Sequence, residues 1–160
     1  MSQRATFQLD NFIFNDIKLS FNNATPKNIN VDFMPEGVFH QSEKTFDLTL
    51  IFFAFEGKDR EDSFIKISCI GTFSFENVEA VTDIPPFFYR NAIAILFPYV
   101  RAFISSLTAQ ANITPMILPT YNLGELELPR QKWQRCIRHQ IKLADVMCNI
   151  AHRCQRRGKA

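Results

Sequence analysis

Alternating apolar and polar positions dominate the first half of the chain. Over Phe7–Phe21 most odd positions are apolar and polar side chains lie between them, which predicts a half-buried strand. We expect an interruption near Asn15, because Phe12 and Phe14, at even positions before it, would fall on the face opposite the apolar odd positions. Residues 46–55 and 64–75 predict two further strands joined as a hairpin by a short charged turn.

The strand predicted at residues 46–55 is apolar on both faces in its second half. In a sheet covered by helices on one side, such a strand presents Ile51, Phe53 and Phe55 on the other side. Burying one such side chain stabilises a fold by about 1.5–3 kcal/mol, so these three residues either belong to the core or contact a client or a second subunit.

The remaining segments lack this alternation. Residues 22–42 contain Asn, Pro, Gly and Lys, and we interpret them as a long crossover loop. Val78–Ile84 is short and apolar enough to add a further strand. From Pro86 onward apolar residues recur every three or four positions, which predicts a helix that breaks near Pro98 into a short and a longer part. A final helix is expected from residue 130 to about residue 155.

Composition narrows the functional class. A chain of 160 residues that is 46% apolar supports one core, but its 17 phenylalanines are many for so small a domain, so we expect some to face a partner. No glycine-rich phosphate loop, nucleophile elbow or HExxH motif is present, so we expect no enzyme activity, cofactor or metal. The few cysteines and the absence of a signal-peptide pattern favour a cytoplasmic protein without stable membrane insertion.

Charge divides the chain into an acidic and a basic half. Residues 1–83 carry 13 acidic and 7 basic side chains, a balance of −6, whereas residues 84–160 carry 3 and 11, a balance of +8. In the final helix the apolar side chains fall on one side and a basic face lies opposite, formed by Arg135, Arg138, Lys142, Arg153 and Arg156. That face is either simply solvated or meets an acidic partner such as RNA, anionic lipid or an antitoxin.

Four segments resemble one known family. Ile95–Arg101 (ILFPYVR), followed by Ile104-Ser105-Ser106, is similar to the ILFPYAR…ITS helix of the SecB-type export chaperones. Pro115–Leu123 resembles the family's proline-containing loop, Phe7–Ile17 its opening strand, and Phe64–Ser74 its third strand. Together these segments cover most of residues 6–125.

The resemblance implies an α+β fold. Its expected form is a four-stranded antiparallel sheet with two main helices on one face, assembled as a dimer of dimers, that is, a homotetramer. It divides the chain into a SecB-like domain at residues 1–128 and a basic amphipathic helix with its tail at residues 129–160. It implies an ATP-independent chaperone that binds unfolded or precursor polypeptides for export. The alternatives are a SecB-like chaperone dedicated to an antitoxin, or an interaction module that uses the basic helix.

Two sets of residues follow from the resemblance and the strand pattern together. The expected client-binding groove combines the aromatic-X-Pro stretch of the crossover loop with the outward side chains of the second predicted strand: Phe33, Met34, Pro35, Ile51, Phe53 and Phe55. The expected contacts with other subunits or with the SecA export motor are Asp16, Ile65, Ile67, Tyr99 and Arg101. Asp16 matches an acidic residue of the family's motor-binding surface, whereas Ser20 and Ile67 replace others.

Overall fold

The computed structural model describes residues 6–21, 26 and 28–119. This part of the chain forms one antiparallel sheet and one long helix. The sheet has the spatial order β1-β4-β3-β2, so the connection from β1 to β2 crosses from one edge to the other. The elements in chain order are β1 (Phe7–Leu19), β2 (Ile29–His40), β3 (Thr45–Glu56), β4 (Ile65–Phe75), a 3₁₀ turn (Val81–Asp83) and α1 (Phe88–Gln110).

The core lies between the sheet and α1. Even positions of β3, from Phe46 to Ala54, are fully buried, and they pair in register with the odd positions of β4 from Ile65 to Phe73. Because paired residues of an antiparallel sheet share a face, both rows point toward α1. The strands predicted at residues 46–55 and 64–75 are therefore confirmed.

Strand β1 is confirmed, but it carries two register shifts instead of one. One shift lies at Asn15, as the pattern predicted, and the other at Asp10. The shift at Asp10 brings Phe12 and Phe14 onto the face that packs on α1, because a bulge reverses the alternation beyond it. Ile13 is one of the apolar odd positions from which a half-buried strand was predicted, and placing it on the buried face is wrong, because Ile13 is 57% exposed on the opposite face.

The long crossover loop predicted at residues 22–42 was wrong over most of its length. Residues 29–40 form β2, which pairs without interruption with β3. Pro35 and Gly37 concealed this strand, although the apolar alternation continues through them. An edge strand tolerates proline because one of its two sides has no ladder hydrogen bonds to lose.

Helix α1 runs without interruption from Phe88 to Gln110, so the break predicted at Pro98 was wrong. Pro98 and Ala94 both lie on the exposed side, where water can hydrate the carbonyl that a proline leaves without its amide partner. The helix is long and apolar enough to cross a membrane by length and composition alone, but one face packs on the sheet, as in a core helix. The second predicted helix, and the domain boundary at residue 128, lie outside the described residues.

Val78–Ile84 does not form the additional strand that was expected. It contains the 3₁₀ turn, which is closed where the Asp83 carboxylate accepts a hydrogen bond of 2.9 Å from the backbone N–H of Ala80. Val78 and Ile84 are both buried, so their apolar character reflects packing under the chain as it enters α1.

Most of the many phenylalanine side chains are at least half-buried in the folded domain. All seventeen rings lie among the described residues; eight are buried, eight are half-buried and only Phe87 is exposed. Phe88, at the start of α1, is central to the cluster. It lies 4.7–5.5 Å, between ring centroids, from five aromatic neighbours: Phe7, Phe46, Phe73, Phe75 and Tyr89.

Candidate polypeptide-binding face

The sheet face opposite α1 carries an apolar strip along β2 and β3, formed by Met34, Ile51, Phe53 and Phe55. Met34 lies directly opposite Ile51 in the register, and Phe53 and Phe55 follow at alternate positions of β3. All but Phe53 are half-buried. The prediction that Ile51, Phe53 and Phe55 point away from the helix agrees with this register.

Two members of the expected groove lie on the other face. Phe33 is only 6% exposed and packs between β3 and α1, with ring centroids 5.3 Å from Phe52 and 5.5 Å from Phe97. Pro35 points the same way and is buried. The structure therefore divides the aromatic-X-Pro stretch, since Met34 reaches the apolar strip whereas Phe33 and Pro35 belong to the core.

The turn between β3 and β4 folds back over one end of the apolar strip. The Arg60 guanidinium lies 5.0 Å from the Phe53 ring centroid and donates a hydrogen bond of 2.9 Å to the Asp32 carboxylate on β2. The Asn30 amide holds the same turn by donating to the carbonyl of Gly57 at 2.7 Å. These contacts explain why Phe53 is buried although it lies on the face without α1.

Beside this turn lies a concavity of about 400 Å³, which we call the corner pocket. Phe53 contributes to its lining, and the Lys66 ammonium lies 5.9 Å from that ring centroid. The charged residues of the lining are Asp16, Lys18, Arg60, Glu61 and Lys66. The sequence did not predict this pocket, because it is assembled from β1, β3, β4 and the turn.

The expected subunit or motor contacts are distributed over three environments. Asp16 is exposed at the corner pocket, and Tyr99 is 44% exposed on α1, where its ring centroid lies 4.4 Å from that of Phe12. Arg101 is half-buried. Ile65 and Ile67 have no exposed surface, because both lie under α1, so a partner cannot contact them while the helix is in place. The basic face at residues 135–156 lies outside the described residues.

A polar cluster occupies the opposite end of the same sheet face. Asp47 accepts a hydrogen bond of 2.7 Å from the Thr72 hydroxyl, and its other carboxylate oxygen lies 2.9 Å from Nε2 of His40. Sequence reasoning missed this cluster, although its members share a face by strand alternation. The carboxylate occupies the middle position, so the imidazole cannot act on the hydroxyl as a general base.

The single cysteine of the sheet is structural. Cys69 has no exposed surface, and burial raises the pKa of its thiol to about 11. A thiol held neutral in this way is a poor nucleophile. Among residues 6–21 and 28–119, no group of three or more His, Cys, Asp or Glu side chains is placed to hold a metal ion.

Comparison with known proteins decides the family. The family model described as "Preprotein translocase subunit SecB" matches residues 5–132. The chain belongs to the SecB family. The resemblance inferred from the ILFPYVR stretch is thus confirmed.

Two individual relatives extend this assignment. The uncharacterized protein MJ0357 of Methanocaldococcus jannaschii is 35% identical over 127 residues, which cover 76% of this chain and 82% of the relative. A SecB-like chaperone of Mycobacterium tuberculosis, solved in complex with a ChAD peptide from the HigA1 antitoxin, superposes with a TM-score of 0.60. It is 13% identical and covers 73% of this chain and 91% of its own, a likeness that concerns the fold.

Proposed function

We propose that this SecB-family protein is a chaperone that binds unfolded polypeptides without ATP, and that the apolar strip is its client contact. The observation that carries the proposal is the continuous row of Met34, Ile51, Phe53 and Phe55 on the sheet face opposite α1, in a chain of the SecB family. No nucleotide-binding motif accompanies it in the sequence.

The chemistry of the strip suits a client that has no fixed structure. Met34 has an unbranched, flexible side chain that repacks against different apolar groups. Ile51 lies directly beside it, and Phe55 adds a half-buried ring two positions beyond Phe53. An extended chain laid along β2 and β3 would contact these residues in succession.

The test replaces Ile51 and Phe55 together by serine. Both are half-buried, so the double variant should fold, and its suppression of the aggregation of a chemically unfolded client should fall several-fold. The matched control is Ile117→Ser, which removes a 73% exposed isoleucine outside the sheet and should leave suppression unchanged. Full suppression by the double variant would assign client binding to another surface.

We further propose that the clients are precursors destined for export, delivered to the SecA motor. The family description supports this choice. A chaperone dedicated to an antitoxin is the second candidate, because the Mycobacterium protein of the same fold was solved with an antitoxin peptide. Mass spectrometry of proteins co-purified from the source cell separates the two, since export clients are many and carry signal peptides, whereas an antitoxin is one protein.

We also propose that the protein assembles as a homotetramer in the cytoplasm. Ile95 and Tyr99 leave apolar surface exposed on the outer side of α1, at 38% and 44%, and a second copy is a suitable cover for it. Sedimentation velocity at micromolar concentration should show an oligomer, and a monomer would contradict the assembly.

A further inference from the structure

The corner pocket holds an unusual pair of like charges. Lys18 of β1 and Lys66 of β4 are direct partners in the antiparallel register. Both lie on the face opposite α1, because their neighbours Ile65 and Ile67 point into the core. Like charges directly opposite each other destabilise a sheet. Neither ammonium lies within 4.0 Å of a carboxylate among the described residues.

The nearby charged side chains do not neutralise these two lysines. Arg60 is already bound to the Asp32 carboxylate at 2.9 Å, so these two side chains largely neutralise each other. Asp16 and Glu61 line the pocket, but neither makes an ion pair with a lysine in the part of the chain that the structure describes. Among the described residues that line this concavity, the two lysines are thus the cations without an ion-pair partner, and an aromatic ring lies beside them.

We propose that the corner pocket binds a carboxylate side chain of the client, between Lys18 and Lys66. Phe53 belongs both to this pocket and to the apolar strip, so a client whose acidic residue enters the pocket places the residues beside it on the strip. Clients would accordingly be selected for an acidic residue next to apolar ones. This inference rests on the proposed chaperone function and specifies which segments that site prefers.

The surroundings favour a peptide carboxylate over a nucleic-acid backbone. The pocket volume of about 400 Å³ accommodates one or two side chains. Asp16 and Glu61 line the same pocket as the lysines, and Asp32 is paired with Arg60, within a half of the chain whose balance is −6. Both ligands would approach Asp16 and Glu61 as well as the lysines. A phosphate backbone brings several negative charges within the screening length of about 8 Å at physiological salt, whereas a client side chain brings one, so the repulsion is smaller for the single carboxylate.

The experiment measures the anisotropy of three short fluorescent peptides that share an apolar sequence and carry Asp, Asn or Lys at the same central positions. The Asp peptide should bind about tenfold more tightly than the Asn peptide, the size of effect expected of a charge-assisted contact, and added salt should reduce this preference. In a variant with Lys18→Gln and Lys66→Gln the preference should disappear. The control with Lys44→Gln and Arg90→Gln removes the same charge from exposed positions elsewhere and should retain it.

Each result has a separate meaning. Equal affinity for all three peptides would overturn the carboxylate site while leaving the chaperone function intact, and tighter binding of the Lys peptide would do the same. No binding of any peptide would overturn both proposals. Tight binding of a single-stranded oligonucleotide that is lost with the two lysines would assign the pocket to nucleic acid, which also contradicts the inference.

Discussion

Replacing Phe33 by alanine tests whether this residue belongs to the core or to a client surface. Its side chain is 6% exposed and its ring contacts Phe52 on the neighbouring strand and Phe97 on α1. Truncation of a buried phenylalanine to alanine costs about 3–5 kcal/mol. Because β2 is an edge strand that can partly close the cavity, we expect the lower end, about 3 kcal/mol. This is a large part of the 5–15 kcal/mol that stabilises an ordinary domain.

The adjacent residue of the same strand provides the matched control. Met34 is half-buried on the opposite face, and Met34→Ala should cost less than about 1 kcal/mol, since little apolar area leaves the core. Guanidinium unfolding followed by circular dichroism, at one fixed protomer concentration, measures both changes. The same variants enter the client-aggregation assay under conditions in which each is folded.

The two positions should therefore show opposite behaviour. Phe33→Ala should lose stability and keep client binding per folded molecule, whereas Met34→Ala should keep stability and bind clients more weakly. If Phe33→Ala unfolds at the same guanidinium concentration as the parent protein but no longer suppresses aggregation, the placement of Phe33 under α1 is refuted and the expectation of a groove at this residue is restored.

Two further perturbations probe the same core. A Cβ at Gly71 would lie 3.0 Å from Leu96 Cδ1 and 3.3 Å from Leu9 Cδ1, so Gly71→Ala should lower the free energy of unfolding by about 1 kcal/mol. In a double-mutant cycle, combining it with Leu96→Ala should remove that cost, because the clashing side chain is gone. Strictly additive costs would contradict this packing. In a variant whose C-terminal cysteines are replaced by serine, Cys69 should react with thiol reagents only as fast as the protein opens. Because its folded pKa is raised to about 11 from about 9, this thiol should lower stability only as pH rises through that interval, and Cys69→Ala should remove this contribution, so that stability declines less steeply there.

The sequence predicted strands best where burial of one face alone set the pattern of apolar residues. Strands β3 and β4 alternate because one of their faces is buried under α1, and that periodicity is legible without a structure. Strand β2 was missed because Pro35 and Gly37 occupy core-facing positions at an edge, where hydrogen-bonding limits are relaxed. Pro98 caused the opposite error: a break was predicted where the helix is continuous, because an exposed helix face tolerates the loss of one backbone N–H hydrogen bond.

The candidate site was predicted only in part, because its geometry depends on pairing between distant segments. Alternation along β3 was enough to place Ile51 and Phe55 on the face opposite α1. Nothing local indicates that Lys18 meets Lys66, because their opposition depends on the register of β1 with β4, and that register is set by the shifts at Asp10 and Asn15. Bulges of this kind leave only a weak signal in the apolar pattern.

The distribution of phenylalanine rings bears on how the proposed chaperone would release its clients. Eight of the seventeen phenylalanine rings are half-buried and only Phe87 is exposed, so most of the phenylalanine surface is already withdrawn from water before a client arrives. Covering a half-buried ring gains only part of the 1.5–3 kcal/mol that full burial provides. On the strip, the half-buried Met34, Ile51 and Phe55 must act together to hold an extended chain, and each of these contacts can be broken separately. Binding that is the sum of weak, independent contacts is reversible at thermal energies, which is why a chaperone without ATP would use a surface of this composition.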